Sequence, residues 1–235
     1  MELNDREKDA LKALSGTVKS ALSMIPVLAQ AISGWDAYKR SSFERNVKRV
    51  IAHLEEKIKD LNLFFSDEWL RSEEGQQFSR KVFDSAFDVQ LEDKQELFIN
   101  ALINGIHDQD TSPLEKLKFV DMLRQLSRAS LMVLADIHKM FKNKVRGPKR
   151  HPDSTDAFPL VDPTTIAEKL SKKFDPFLVT ASISEMESQG LFSRTGDWKK
   201  KPDGSYMPSG GFATELCYTD FAARFVEFIT TQEPK

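Results

Sequence analysis

A single cysteine, Cys217, in 235 residues excludes an intrachain disulfide, a Cys-x-x-Cys redox pair and every zinc site built from several cysteines. A chain without disulfides suits a reducing compartment, so the expected location is cytoplasmic. Glycine and proline are scarce, ten of each, which removes collagen-like, linker-like and low-complexity architectures. Net charge is nearly absent: 34 basic against 36 acidic side chains leave −2, so no global field draws the chain to nucleic acid or to an acidic membrane. Any such binding must be local. Long apolar runs are missing as well. The longest charge-free stretch, Ser20 to Trp35, has sixteen residues, is diluted by Ser20, Ser23, Gln30, Ser33 and Gly34, and is interrupted by Pro26. A membrane span needs about 20 predominantly apolar residues, so no stable membrane insertion is expected. The opening MELNDREKDALK, charged with both signs, lacks the basic-then-apolar order of a secretory leader.

What is present is helical periodicity. Apolar residues recur in steps of three and four as Leu11, Leu14, Val18, Leu22 and Ile25, then as Phe43, Val47, Val50, Leu54, Ile58 and Leu61. Pro26 should kink or end the first helix, and Gly34 marks a possible second bend. A third helix carries Trp69, Leu70, Phe78, Val82, Phe83 and Phe87, with Ser72 ahead of Glu73 and Glu74 as a possible fresh start, and a fourth carries Leu97, Phe98, Ala101, Leu102 and Ile106. Ser112-Pro113-Leu114-Glu115 has the composition of a helix start: serine to accept an amide, proline where its missing N–H costs nothing, and glutamate to reach back. The stripe of Leu117, Val120, Leu123 and Leu126 follows, then Leu131, Leu134, Ile137 and Phe141. One-sided stripes on consecutive helices must cover one another, so the N-terminal part, residues 1–128, is expected to be a helical bundle. Leu22, Ile25, Leu28 and Ile32 form a candidate association face, suited to a bundle or to a homo-oligomer contact and poor for lipid on all sides.

Turn residues divide the chain. Four glycines and two prolines lie up to Arg146, whereas the remaining 89 residues hold six and eight. A polar, basic linker around 142–156 is followed by a short extended piece, Phe158 to Val161, and a helix with Ile166, Ala167 and Leu170 inward. A further helix runs from Asp175-Pro176 to Gly190 with Leu178, Val179, Ile183 and Met186 in helical period. Leu191-Phe192 opens a strand, Thr195 to Gly211 is a turn-rich tip, Phe212 to Tyr218 returns, and Thr219 caps a last helix with Phe221, Phe225, Phe228 and Ile229.

Ile183, Met186, Glu187 and Gly190-Leu191-Phe192 resemble the end of the recognition helix running into the wing in MarR-like regulators. Tyr218, Thr219, Phe221, Phe225 and Ile229 are similar to the segment leaving the second wing strand of that family, with Ala222 where the family usually has a glycine nearby. The resemblance covers about 129–230 and implies that 129–235 is a winged-helix domain with a small β wing, giving a mainly α chain overall. Asp93, Lys94, Leu97 and Phe98, followed by Leu114 to Leu131, resemble bacterial helical proteins of the abortive-infection alpha type, in which a bundle leads into a winged-helix-like tail. That likeness implies a bacterial regulatory or defence setting and no reaction.

Catalytic signatures are missing: no GxxxxGK[ST], no GxGxxG after a strand, no HExxH and no GxSxG. Among His53, His107, His138 and His151 only His107, with Asp108 and Asp110, forms a cluster of metal-ligand types, and those acids also suit a helix N-terminus, which is the preferred reading. Cys217 reads as a small core residue. No catalytic residue, metal or cofactor is expected. Basic groups occur in the segment Lys139 to Arg150, in Lys39 to Arg49, in Lys169, Lys172 and Lys173, and in Lys199, Lys200 and Lys201. Arg194, Lys199, Lys200, Lys201, Lys172 and Lys173 are the candidate phosphate contacts. Yet Asp175 to Gly190, the helix that would enter a major groove, contains Asp175, Glu185 and Glu187 and no Lys or Arg, so nucleic-acid binding is expected to be weak. These readings favour a non-enzymatic regulatory or defence-associated adaptor acting by protein association. A DNA-binding transcriptional regulator is the alternative, and a membrane-acting effector comes third.

Overall fold

The computed structural model describes residues 40–59, 64, 67–108, 110–141, 160–161, 163–195, 198–200, 206–208 and 215–230. The stripe Leu22, Ile25, Leu28 and Ile32, the bends expected at Pro26 and Gly34, the basic linker around 142–156 and Lys201 lie outside the described residues. Within them the chain is mainly helical, with nine α-helices and five short strands. It packs as two compact units. One takes in the described residues through Arg124 together with Phe228, Ile229 and Thr230, and the other holds the described residues of Gln125–Glu227.

The first unit contains α1 (Arg40–Lys57), α2 (Glu68–Arg71), α3 (Glu73–Asp88), α4 (Glu92–His107) and α5 (Pro113–Gln125). Local chemistry starts three of them. The Asp67 carboxylate accepts the amides of Trp69 and Leu70, and Ser72 ends α2 and caps α3 by accepting the Gly75 amide. The Ser112 hydroxyl accepts the Glu115 amide at 3.3 Å. The periodic apolar residues Val47, Val50 and Leu54 of α1, Phe78, Val82, Phe83 and Phe87 of α3, Phe98 and Leu102 of α4, and Val120 and Leu123 of α5 are all buried. Leu117, expected inward, is only half-buried, because Phe119 and Met122 turn the inward face of α5 past it. Phe228, arriving from the chain end, completes this core: its ring lies 5.1 Å from that of Phe119 and edge-on to Phe78 at 6.1 Å. Gly105 of α4 leaves the room, since a Cβ there would come within 2.5 Å of the Phe78 ring.

Helix C-termini leave carbonyls without intrahelical partners, and in this unit buried side chains from other elements satisfy them. Asn46 of α1 donates to the carbonyls of Phe87 and Val89 at the end of α3, and Gln95 donates to those of Ala86 and Val89. Lys116, only 4% exposed, donates to Gly105 and Asp108 at the end of α4 at 2.7 and 2.6 Å and lies over the Trp69 ring. Lys94 donates to the Arg124 carbonyl near the end of α5 at 2.9 Å. Asn104 donates to the carbonyls of Phe228 and Thr230, and Asn100 to that of Ile229. Burial lowers the Lys116 pKa, against the opposing pull of the Asp108 and Glu74 carboxylates. Burial would raise Asp108, but hydrogen bonds from Thr111 and the Asp110 amide, with the charge of Lys116, hold it below the usual carboxylate value.

The second unit contains α6 (Arg128–Phe141), β1 (Leu160–Val161), α7 (Pro163–Leu170), α8 (Pro176–Ser188), β2 (Phe192–Thr195), β3 (Trp198–Lys200), β4 (Tyr206–Pro208), β5 (Glu215–Tyr218) and most of α9 (Asp220–Ile229). Strand β5 lies between β1 and β2, antiparallel to both, and β3 pairs with β4 as a separate hairpin. Gly190, at φ 76°, supplies the left-handed residue that ends α8 and turns the chain into β2. Thr219 caps α9 by accepting the Ala222 amide, and its hydroxyl donates to the Leu191 carbonyl, tying the start of α9 to the start of β2. Tyr218 is fully buried and shares a 2.8 Å hydrogen bond with Nδ1 of His138. Burial, reinforced by the negative charge of Glu227, pushes the Tyr218 phenol well above its ordinary value.

Candidate interaction face on helix α8

Helix α8 owes its start to Asp175, whose carboxylate accepts the amides of Phe177 and Leu178 at 2.8 and 3.3 Å, with Pro176 in the first turn. It is seated by one stripe, Val179, Ser182, Ile183 and Met186, all buried. Leu178 departs from the sequence expectation. It was expected inward with that stripe, but it is 41% exposed, because it lies a quarter turn off the line joining Val179, Ile183 and Met186. Phe177 is further out still, at 86%. The outer stripe reads Phe177, Ala181, Ser184, Ser188, all exposed and none of them charged.

The acids of this helix act within the fold. Glu185 reaches α6, where Oε1 accepts the Ser127 amide at 2.7 Å and Oε2 accepts the hydroxyls of Ser127 and of fully buried Ser130. A carboxylate at the first turn of α6 meets the positive end of that helix and satisfies an amide with no intrahelical partner. Asp175 is likewise committed to its own helix start. Asp175 and Glu185 are thus engaged by amides and hydroxyls of the chain itself, which weakens the repulsion expected between α8 and an anionic partner. At the other end of the α6–α8 pair, Lys173 in the turn before α8 forms an ion pair with Asp136 of α6. The two helices thus run antiparallel, and Met132 of α6, 41% exposed, lies between the pinned ends.

The candidate phosphate contacts separate into groups. Lys172 is exposed beside α8, whereas Lys173 holds Asp136, so its charge is partly neutralised before any ligand arrives. Arg194 lies in β2 opposite Leu216, Lys199 opposite Met207 and Lys200 opposite Tyr206 in the β3–β4 hairpin. Register thus puts Lys199 and Lys200 on one hairpin and Arg194 on the other sheet. Cys217, in β5, is paired in register with Leu160 and Ser193. In the first unit the Asp108 carboxylate accepts the amides of Asp110 and Thr111, both at 3.0 Å, and no group of three metal-ligating residues occurs among the described residues. No helix among the described residues is long and apolar enough to cross a membrane.

Sequence reasoning missed Phe177. Its signal was available: an aromatic residue two positions after the capping Asp175 falls outside the Val179–Ile183–Met186 period and so points away from the core. Comparison with protein-family models, with curated proteins and with solved structures finds no match for this chain.

Proposed function

We propose that this chain is a cytoplasmic, non-enzymatic bacterial adaptor with a regulatory or defence role, that it acts by protein association, and that its second unit is a winged-helix module whose contact element is α8. The observation that carries this reading is Phe177, 86% exposed at the head of a helix whose outer stripe bears no charge. An aromatic side chain held in water by a capped helix is a natural anchor for a pocket on another protein, since burying it contributes about 1.5–3 kcal/mol. The order of elements, the antiparallel pairing of β2 with β5 and the likeness to MarR-like regulators support the winged-helix part.

The test is a photo-cross-linkable residue at position 177, introduced in the native cell. Covalent capture of protein, lost when the probe is moved to buried Val179, is the expected outcome. Capture of nucleic acid instead would favour the DNA-binding alternative. That alternative draws support from the internal engagement of Asp175 and Glu185, which removes two sources of repulsion, and from the backbone placement of Lys199 and Lys200 on one hairpin. Its binding would be sequence-tolerant and steeply salt-dependent, because lysines on phosphates release counterions while Phe177, Ala181, Ser184 and Ser188 offer little hydrogen bonding to base edges.

A further inference from the structure

We infer that the first unit carries a socket for the carbonyl end of a helix, that the chain's own last turn fills it as a removable plug, and that a partner helix with an aromatic residue in its last turn binds there by displacing the plug. The polar half of the socket comes from α4. Asn100 and Asn104, four residues apart, stand on one face of that helix, and both are buried. Their amides reach three successive carbonyls at the end of α9: Asn104 donates to Phe228 and Thr230, at 2.8 Å each, and Asn100 donates to Ile229 at 3.2 Å. A helix end leaves such carbonyls without an intrahelical partner, so these donors read the end of a helix and no particular side chain. Beside them Phe228 lies against the rings of Phe78 and Phe119, in the room that Gly105 leaves.

The composition of α4 favours a binding site over plain core packing. Asparagine and glycine are poor helix formers, yet the second half of α4 gives three positions to them, Asn100, Asn104 and Gly105, and each one serves the socket. Buried amides need an occupant with unpaired carbonyls, since an empty socket leaves polar groups without partners. The plug is short. Helix α9 starts in the second unit, capped at Thr219, and of its described end only Phe228, Ile229 and Thr230 belong to the first. A tethered plug outcompetes a free helix through its high effective concentration, so the isolated chain is closed, and the apparent affinity for a partner is set by the fraction of chains whose plug is out. The socket is separate from the α8 face, and neither reading requires the other.

Fluorescence anisotropy of the full chain with a labelled synthetic peptide of residues 219–235 tests this. The wild type should bind the peptide weakly, and Phe228→Ala in the protein, which loosens the plug, should bind it at least roughly tenfold more tightly. A merely structural role for Phe228 predicts no such gain. Adding Asn104→Ala to the Phe228→Ala chain should cut the affinity roughly tenfold, because the carbonyl donor is lost, and so should Phe228→Ala in the peptide. Phe228→Leu takes the place of the alanine variant if circular dichroism shows that variant unfolded, with the same order of affinities expected. In the wild type the Ile229 and Thr230 amides should exchange faster than those of Phe98 and Leu102 in the buried middle of α4, as a plug that opens without global unfolding requires. Loss of fold in both Phe228 variants, no binding of the peptide by a folded one, binding indifferent to Asn104→Ala, or exchange at residues 229 and 230 no faster than in the middle of α4 overturns the inference.

Discussion

Replacing Glu185 with alanine removes the acceptor that joins α8 to the start of α6. Three hydrogen bonds disappear: from the Ser127 amide, the Ser127 hydroxyl and the Ser130 hydroxyl. Hydrogen bonds to a charged group contribute about 1.5–3 kcal/mol each, but the three losses are unequal. Ser127 is exposed, so its amide and hydroxyl regain water, and their loss amounts to about 0.5 kcal/mol together. Ser130 is fully buried, and its hydroxyl is left with only the neighbouring Ser127 oxygen at 3.0 Å, a loss of about 1.5–2 kcal/mol. Alanine's better helix propensity returns a few tenths. The net cost is about 2 kcal/mol, or roughly thirtyfold in the local opening constant at 1.4 kcal/mol per tenfold. Two units need not unfold together, so a single melting temperature is a poor readout. Native-state hydrogen exchange of the α6 amides is the better one. Protection should fall roughly thirtyfold in Glu185→Ala and by less in Glu185→Gln, which keeps one carbonyl oxygen. If Glu185→Ala changed protection no more than Ser188→Ala, at an exposed site on the same helix, the reasoning would be refuted.

Tyr218 is raised above its unfolded value of about 10, so it contributes stability that is fully present below that pH and is lost as pH climbs further, because only the unfolded chain ionises easily. Urea midpoints between pH 9 and 11 should fall for the wild type and fall less steeply for Tyr218→Phe, which at neutral pH is weaker by about 1 kcal/mol through loss of the His138 hydrogen bond. Asp108 is lowered, so its contribution is present above about pH 4 and is lost as pH falls through its folded value; Asp108→Asn should flatten the acid limb of the same profile. Asn104→Ala removes the side-chain donor to the carbonyls of Phe228 and Thr230 and should loosen the last turn of α9, read as faster exchange of its amides, at a cost of about 1–3 kcal/mol. Gly105→Ala drives a methyl to within 2.5 Å of the Phe78 ring; helix propensity returns about 1 kcal/mol, and overpacking should still leave the variant less stable in denaturant.

Interactions within one or two helical turns were legible in the sequence. Ser72, Ser112 and Asp175 act on amides two or three residues away, so the helix starts they make needed no knowledge of the fold. The stripes Val47–Val50–Leu54 and Phe78–Val82–Phe83 announced helices because burial at a 3.6-residue period is a property of the strand of sequence itself. Which face meets which is not local, and there the sequence was silent. No local signal marks Lys94 and Lys116, yet both are buried as donors to helix ends 30 and 11 residues away. Glu185 read as an obstacle to anions on α8, and tertiary structure spent it on Ser127, 58 residues distant. Asn104 became a holder of the chain end, 124 residues on, only because Phe228 fills the space beside Gly105. Composition and periodicity determined a mainly helical chain with a turn-rich C-terminal part. Pairing across long separations, where a side chain's worth depends on the backbone carbonyl or ring brought against it, decided which polar groups support the core and left Phe177 exposed in water.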